Sequence, residues 1–413
     1  MTLVPGGLPM PVAAPPPPAT EPLAGVWRDL VSQQGPVATL QRAVAGERHA
    51  MSHAWLFTGP PGSGRSTAAR AFAAALQCPR GGCGECGECR TTLSGAHPDV
   101  TLVRTEMLSI GVDEVRELVR RAAMSPTLGR RQVLVVEDAD RLTERGADAL
   151  LKSIEEPGPK TVWLLCAPTA DDVVVTIRSR CRLLTLATPR PADVAALLHR
   201  RDGVDEALAA HVARAAQGHI GRARVLARDE AARNRRREVL MIPAGLKNLG
   251  ACLNAAANLV EACAEEAQAA TQAVDAKERG ALEEALGFGS KGARPRQAAA
   301  ALKELEDQQK ARAKRFQRDA IDRALTELTA WYRDVLALQM CQAREAAPEL
   351  EGRPGPELVN SEMRAEVAAA ARRGTAENTL HRIDALLACR QALETNVAPL
   401  LAVEALMIAL VEG

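Results

Sequence analysis

Three sets of residues in this 413-residue chain are spaced for chemistry. The first is Gly59-Pro60-Pro61-Gly62-Ser63-Gly64-Arg65-Ser66-Thr67, which fits G-x-x-x-x-G-K-[ST] except that arginine stands for lysine. Glycines let backbone N–H groups turn inward around phosphates, and the positive end of the following helix backs them. Ser66 would offer a hydroxyl to Mg²⁺. Arginine's planar fork is no substitute for a compact lysine charge at a tight site. The loop therefore reads as degenerate, with ATP and Mg²⁺ binding left open. The second set is Glu137-Asp138-Ala139-Asp140 after the apolar run Val133–Val136, where a metal-holding Asp and a water-polarising Glu would sit. The third is Cys78-x4-Cys83-x2-Cys86-x2-Cys89, interleaved with Gly81, Gly82, Gly84 and Gly87. Four thiols at that spacing predict a structural Zn²⁺ knuckle with no open coordination position and no catalysis.

These groups need a scaffold, and the flanking sequence predicts one. Ala54–Phe57, Val133–Val136 and Val162–Leu165 are short, continuous apolar runs, the pattern of buried parallel strands. An Ala-rich helix follows the loop, and a helical pattern at Ala147–Ile154 separates two of the strands. The alternation predicts a doubly wound α/β domain to about Leu186. After Thr188-Pro189 only helical periodicity remains. Amphipathic helices are predicted at Ala320–Met340, Glu377–Thr395 and Pro399–Val411. The segment Ala264–Arg315 is polar and charge-rich, broken at Gly287–Gly292 and Pro295, and reads as an exposed helical hairpin or flexible insertion. Its basic run from Lys310 to Arg318 reads as a solvated helix face. Residues 1–24, with four consecutive prolines, read as a disordered tail.

Composition narrows the function. Lys+Arg (52) and Asp+Glu (51) cancel, so no global field marks a nucleic-acid or membrane binder. No apolar run approaches the roughly 18–20 residues of a membrane span. The other cysteines (Cys166, Cys181, Cys252, Cys263, Cys341, Cys389) are scattered singly and read as small core residues. That usage predicts a reducing cytoplasm rather than a disulfide framework.

Taken together, the loop, the cysteine knuckle directly after its helix, and Thr176-Ile177-Arg178-Ser179-Arg180-Cys181 resemble the bacterial clamp-loader branch of the AAA+ ATPases. The resemblance covers roughly 26–262 and 316–410. It implies an AAA+ P-loop domain at 25–187, a helical lid at 188–245 and an all-helical collar at 246–413, interrupted by the charged insertion at about 264–315. It implies that Arg180 projects across a subunit boundary onto a neighbour's triphosphate, as a permanently charged fork. Gly218-His219-Ile220-Gly221-Arg222-Ala223 resembles the family's second sensor, with Arg222 toward the chain's own nucleotide, although Gly-Arg-Ala could equally begin a helix. A first sensor is not evident, Thr169 lying out of register. Glu394–Leu400 resembles the last helix pair of the collar. Partners implied are other clamp-loader subunits (gamma/tau and delta), with the sliding clamp and primer-template DNA met through the assembly. Two members fit differently. A non-hydrolysing end subunit would keep the donor Arg180 and lose the acceptor chemistry, as Arg65 and the order Glu137-Asp138, where an active ATPase of the family would show Asp-Glu, suggest. It would be part of a nucleotidyl-transferring holoenzyme while being neither polymerase nor ATPase itself. The alternative is a gamma/tau-like ATPase that tolerates Arg65.

Overall fold

A computed structural model of the chain describes residues 23–105, 107, 109–286, 296–345, 356–395 and 397–412. The proline-rich tail and the breaks at Gly287–Gly292 and Pro295 lie outside the described residues, save for positions 23 and 24 of the tail. So does Asn396 of the Glu394–Leu400 motif.

The first part alternates as expected: α1 (Gln34–Val44), β1 (Ala54–Thr58), α2 (Arg65–Gln77), α3 (Gly87–Ser94), β2 (Val100–Val103), α4 (Val112–Ala122), β3 (Gln132–Val136), α5 (Glu144–Glu155), β4 (Thr161–Ala167), α6 (Val175–Arg178) and β5 (Arg182–Thr185). The strands form one parallel sheet in the order β2-β3-β4-β1-β5. Both faces are buried, which explains the unbroken apolar runs. Trp55, Phe57, Val133, Val135, Val162, Leu164 and Cys166 face one core, with Phe72 of α2. Leu56, Leu134, Val136, Trp163 and Leu165 face the other, with Leu118 of α4 and Leu150 of α5. Because β1 stands between β4 and β5, the loop at its carboxyl end opens onto strand ends on both sides, where open parallel sheets hold ligands.

Beyond β5 every described element is helical: α7 (Pro191–Asp202), α8 (Glu206–Ala215), α9 (Ile220–Arg228), α10 (Glu230–Gly245), α11 (Leu249–Ala285), α12 (Arg296–Glu345), α13 (Arg364–Arg373), α14 (Ala376–Glu394) and α15 (Pro399–Glu412). Local chemistry marks their starts. Pro191 begins α7, and the Asp205 carboxylate accepts the N–H groups of Ala207 and Leu208 to cap α8. Val194, Leu198, Val212 and Leu226 close a small core among α7, α8 and α9. A larger one, holding Ile321, Leu328, Trp331, Leu386 and Leu406, joins α10 to α15.

The charged insertion is largely helix. The distal half of α11 pairs with the start of α12 through charges instead of an apolar stripe. Arg279 meets Glu306 at 2.5 Å, and Arg312 meets Asp275 at 2.6 Å and Glu278 at 2.8 Å. Among the described residues, no helix is long and apolar enough to cross a membrane.

Candidate nucleotide-loop and metal sites

The loop after β1 has the backbone its glycines foretold. Gly59, Gly62 and Gly64 have φ of 149°, 84° and 93°, and Gly64 in the left-handed region opens α2. The Gly59 N–H is given to the Pro168 carbonyl at 3.0 Å, tying the loop to the end of β4. Ser66 and Thr67 stand in the first turn of α2, where N–H groups lack intrahelical partners. That much has the backbone form that a phosphate cradle needs.

Its surroundings do not suit a metal-bound nucleotide. The Arg65 guanidinium folds back and donates to the Gly59 carbonyl at 2.8 Å. Burial pushes Arg65 below its ordinary value, while Cys166, Asp140 and Asp138 pull the other way. A Cβ on Gly62 would lie 2.3 Å from the Cα of His219, so the turn before α9 is seated directly on the loop. Glu137 is paired with Arg70, whose Nη2 and Nε reach the same carboxylate oxygen at 2.6 and 2.8 Å. Asp138 faces Arg315 of α12 at 3.7 Å, and its Oδ2 is buried without a hydrogen bond. Glu137 and Asp138 thus each already face a cation. Asp140 is pushed up by its own burial. As arranged, these residues do not fit Mg²⁺ and a triphosphate.

The remaining predicted positions are scattered. Arg180 lies just past α6, its side chain 40% exposed. It donates to the Thr176 carbonyl at 2.8 Å and to Ser179 Oγ at 3.1 Å, and meets Glu155 at 2.5 Å. Arg222 stands in the first turn of α9, where its N–H is given to His219 Nδ1 at 3.2 Å. Its guanidinium pairs with Glu327 of α12, a carboxylate only 2% exposed that also takes Arg236 Nε at 2.9 Å. Arg236 further meets Glu362 at 2.6 Å and Asn360. Thr169 is tied to Asp172 by its N–H and hydroxyl at 2.8 and 2.9 Å. Arg70, His219, Arg315 and Glu327 are the contributors that the sequence did not announce.

The four knuckle sulfurs all lie within 4.8 Å of one another, so they could hold a metal ion. Cys78 Sγ is 3.6 Å from Cys83 Sγ and 3.7 Å from Cys86 Sγ. Backbone N–H groups surround the cluster: Arg80 and Cys83 donate to Cys78 Sγ at 3.3 and 3.4 Å, and Cys89 donates to Cys86 Sγ at 3.4 Å. N–H groups of Glu85 and Cys86 draw the Cys83 thiol down to about 6, the direction that favours thiolate. Burial pushes Cys89 up. The turn at Gly25–Trp27 buttresses the knuckle. Gly25, at φ +63°, approaches so closely that a Cβ there would lie 2.2 Å from the Gly82 carbonyl oxygen, and Val26 donates to that same oxygen at 3.0 Å. Next to Cys89, Glu88 is held by the buried His97 at 2.7 Å. His97 Nδ1 accepts the Asp99 N–H, so its Nε2 carries the proton given to Glu88. Of the single cysteines, Cys166, Cys252, Cys263 and Cys389 are buried, while Cys181 and Cys341 are partly exposed.

A parallel sheet of this order with a glycine loop after β1 defines a phosphate-loop α/β domain. Residues 32–190 match the family model described as DNA polymerase III, delta subunit. Among curated relatives, the chain is 39% identical over 158 residues to DNA polymerase III subunit delta' of Pseudomonas aeruginosa, a match covering 37% of this chain and 48% of that protein. It is 34% identical over 202 residues to the gamma/tau subunit of Mycobacterium tuberculosis, covering 46% of this chain and 35% of that one. The chain thus spans half or less of the length of these relatives. Among solved structures, a gamma-subunit-related protein of Thermotoga maritima aligns at 16% identity over 70% of this chain and 99% of that one, with a TM-score of 0.32 that bears on neither fold nor function. Across its sheet domain, then, the chain is related to the clamp-loader subunits of DNA polymerase III.

Proposed function

We propose that the chain acts as a delta-prime-type subunit of a bacterial DNA polymerase III clamp loader, the stator at one end of the ring. In this reading 25–187 is the AAA+ domain, 188–245 the lid and 246–413 the collar that packs against gamma/tau and delta subunits. The assembly, working in the cytoplasm, places a sliding clamp on primer-template DNA. This subunit's chemical contribution is Arg180, offered to the triphosphate of a neighbour, where a guanidinium meets charge developing on the transferred phosphoryl group. One contrast carries the proposal. Arg180 is half-exposed and its partners Glu155, Thr176 and Ser179 all lie at the surface, whereas Arg65, Glu137 and Asp138 at the chain's own loop are engaged within the fold.

Zn²⁺ is the metal we assign to Cys78, Cys83, Cys86 and Cys89. Zn–S bonds of about 2.3 Å in a tetrahedron put sulfurs about 3.8 Å apart, close to the 3.6 and 3.7 Å separations present. The ion would pin the knuckle turns as a purely structural crosslink.

A gamma/tau-like ATPase is the second reading, and the match to the mycobacterial gamma/tau subunit favours it. Under it, Arg65 would swing from the Gly59 carbonyl to a phosphate, and His219 would lift from Gly62. ATP turnover by the purified chain separates the two. Absence of turnover, together with co-purification with gamma/tau and delta subunits, supports the first reading; turnover abolished by Ser66→Ala supports the second.

A further inference from the structure

We infer that α12 is an internal brace that fixes the sheet domain against the helices, with Asp138 serving as its anchor rather than as a metal ligand. Arg315 lies in the stretch of α12 that reads from sequence as a solvated basic face, yet its side chain is only 9% exposed. It donates to the Met107 carbonyl at 3.3 Å and faces both Asp138 and Asp319 at 3.7 Å. Asp319, one turn further along, meets Arg141 at 4.0 Å. Asp138 precedes and Arg141 ends the short 3₁₀ turn after β3, so the four charges stitch the end of that strand to one face of α12. Three helical turns on, Glu327 gathers Arg222 of α9 and Arg236 of α10. A single helix therefore holds the strand-end acid at one point and the middle helices at another.

The chemistry makes this contact exclusive. A divalent cation needs the Asp138 carboxylate facing into the site, and the guanidinium of Arg315 stands against that carboxylate. Burial lowers Arg315 from its ordinary value and Arg141 adds to the effect, while Asp138 and Asp319 hold its charge. Removing Asp138 would leave that cation with only Asp319 and the Met107 carbonyl, so the acid serves the brace even where it binds no metal. The domain relation is then set by the chain itself and does not answer to nucleotide. This stands whether or not Arg180 serves a neighbour.

Amide hydrogen exchange on the full chain tests it, followed in peptides spanning 137–145 and 312–322, with and without millimolar ATP and Mg²⁺. The brace predicts no change on adding ATP and Mg²⁺ to the wild type. It predicts at least tenfold faster exchange in both peptides for Arg315→Gln and for Asp138→Asn, and recovery toward wild type in the charge-swapped pair Asp138→Arg with Arg315→Asp. Mg²⁺-dependent slowing or quickening of the 137–145 peptide in the wild type, lost in Asp138→Asn, would overturn it. So would wild-type exchange in Arg315→Gln. If the variants do not fold, the wild-type arm decides alone.

Discussion

Replacing Glu327 with glutamine strikes the most deeply buried charge cluster of the helical region. The carboxylate is 2% exposed and divides its oxygens between Arg222 and Arg236. Breaking a buried ion pair costs about 3–5 kcal/mol, because the surviving cation is left desolvated. Two features place this site at the lower end. Arg236 keeps Glu362 and Asn360, and Arg222 is 18% exposed at its side chain. The amide carbonyl can still accept one of the two bonds. We expect a loss of about 3 kcal/mol from the unfolding free energy of the helical region. Urea unfolding followed by far-UV circular dichroism would show an earlier midpoint with an unchanged slope. A cycle with Arg222→Met isolates the pair. The double variant should be less destabilised than the sum of the singles, with about 1–3 kcal/mol of coupling. A Glu327→Gln midpoint within about 0.5 kcal/mol of wild type would refute the assignment of this carboxylate as the hub.

Asp99 is a second buried acid, and it sets an acid limb of stability. Burial raises its carboxyl, but N–H groups of Thr127, Gly129 and Leu128 outweigh that and hold it below the ordinary carboxylate value. A folded value below the unfolded one contributes stability above the unfolded pKa, lost as pH falls through the folded one. Asp99→Asn should cost about 2 kcal/mol at pH 7, and its gap from wild type should narrow by pH 3; urea midpoints at the two pH values check this. For the knuckle, elemental analysis should find one zinc per wild-type chain, and Cys83→Ser should lower that content and expose the 78–95 region to protease. Wild-type protein purified without metal under mild conditions would contradict the zinc assignment.

Legibility in the sequence followed burial. Strands β1, β3 and β4 are central and covered on both faces, so their apolar runs stood out. Val100–Val103 and Arg182–Thr185 sit at the two edges of the sheet with partly exposed side chains, and so lack that signature. The cysteine knuckle was readable because all four thiols lie within one turn-rich segment. The state of the phosphate loop was not, because its neighbours come from far along the chain: Pro168 accepts the Gly59 N–H and His219 sits against Gly62. A clue to Glu327 was present. It shares a helix face with Ala324, Leu328 and Trp331, and an acid in an apolar stripe requires a buried cation. Its partners, on α9 and α10, could be named only from the fold. The insertion's helices were ambiguous because charge pairs, not an apolar stripe, hold the two arms of the hairpin together.

The most direct measurement is steady-state ATP hydrolysis by the isolated chain and by a loader reconstituted with gamma/tau and delta subunits, clamp and primed DNA, each with wild type and Arg180→Ala. A donor without an acceptor predicts no turnover by the chain alone and a fall of at least tenfold in the reconstituted loader when Arg180 is removed, with assembly intact by gel filtration. Brisk hydrolysis by the isolated chain, or loader turnover indifferent to Arg180, would contradict it.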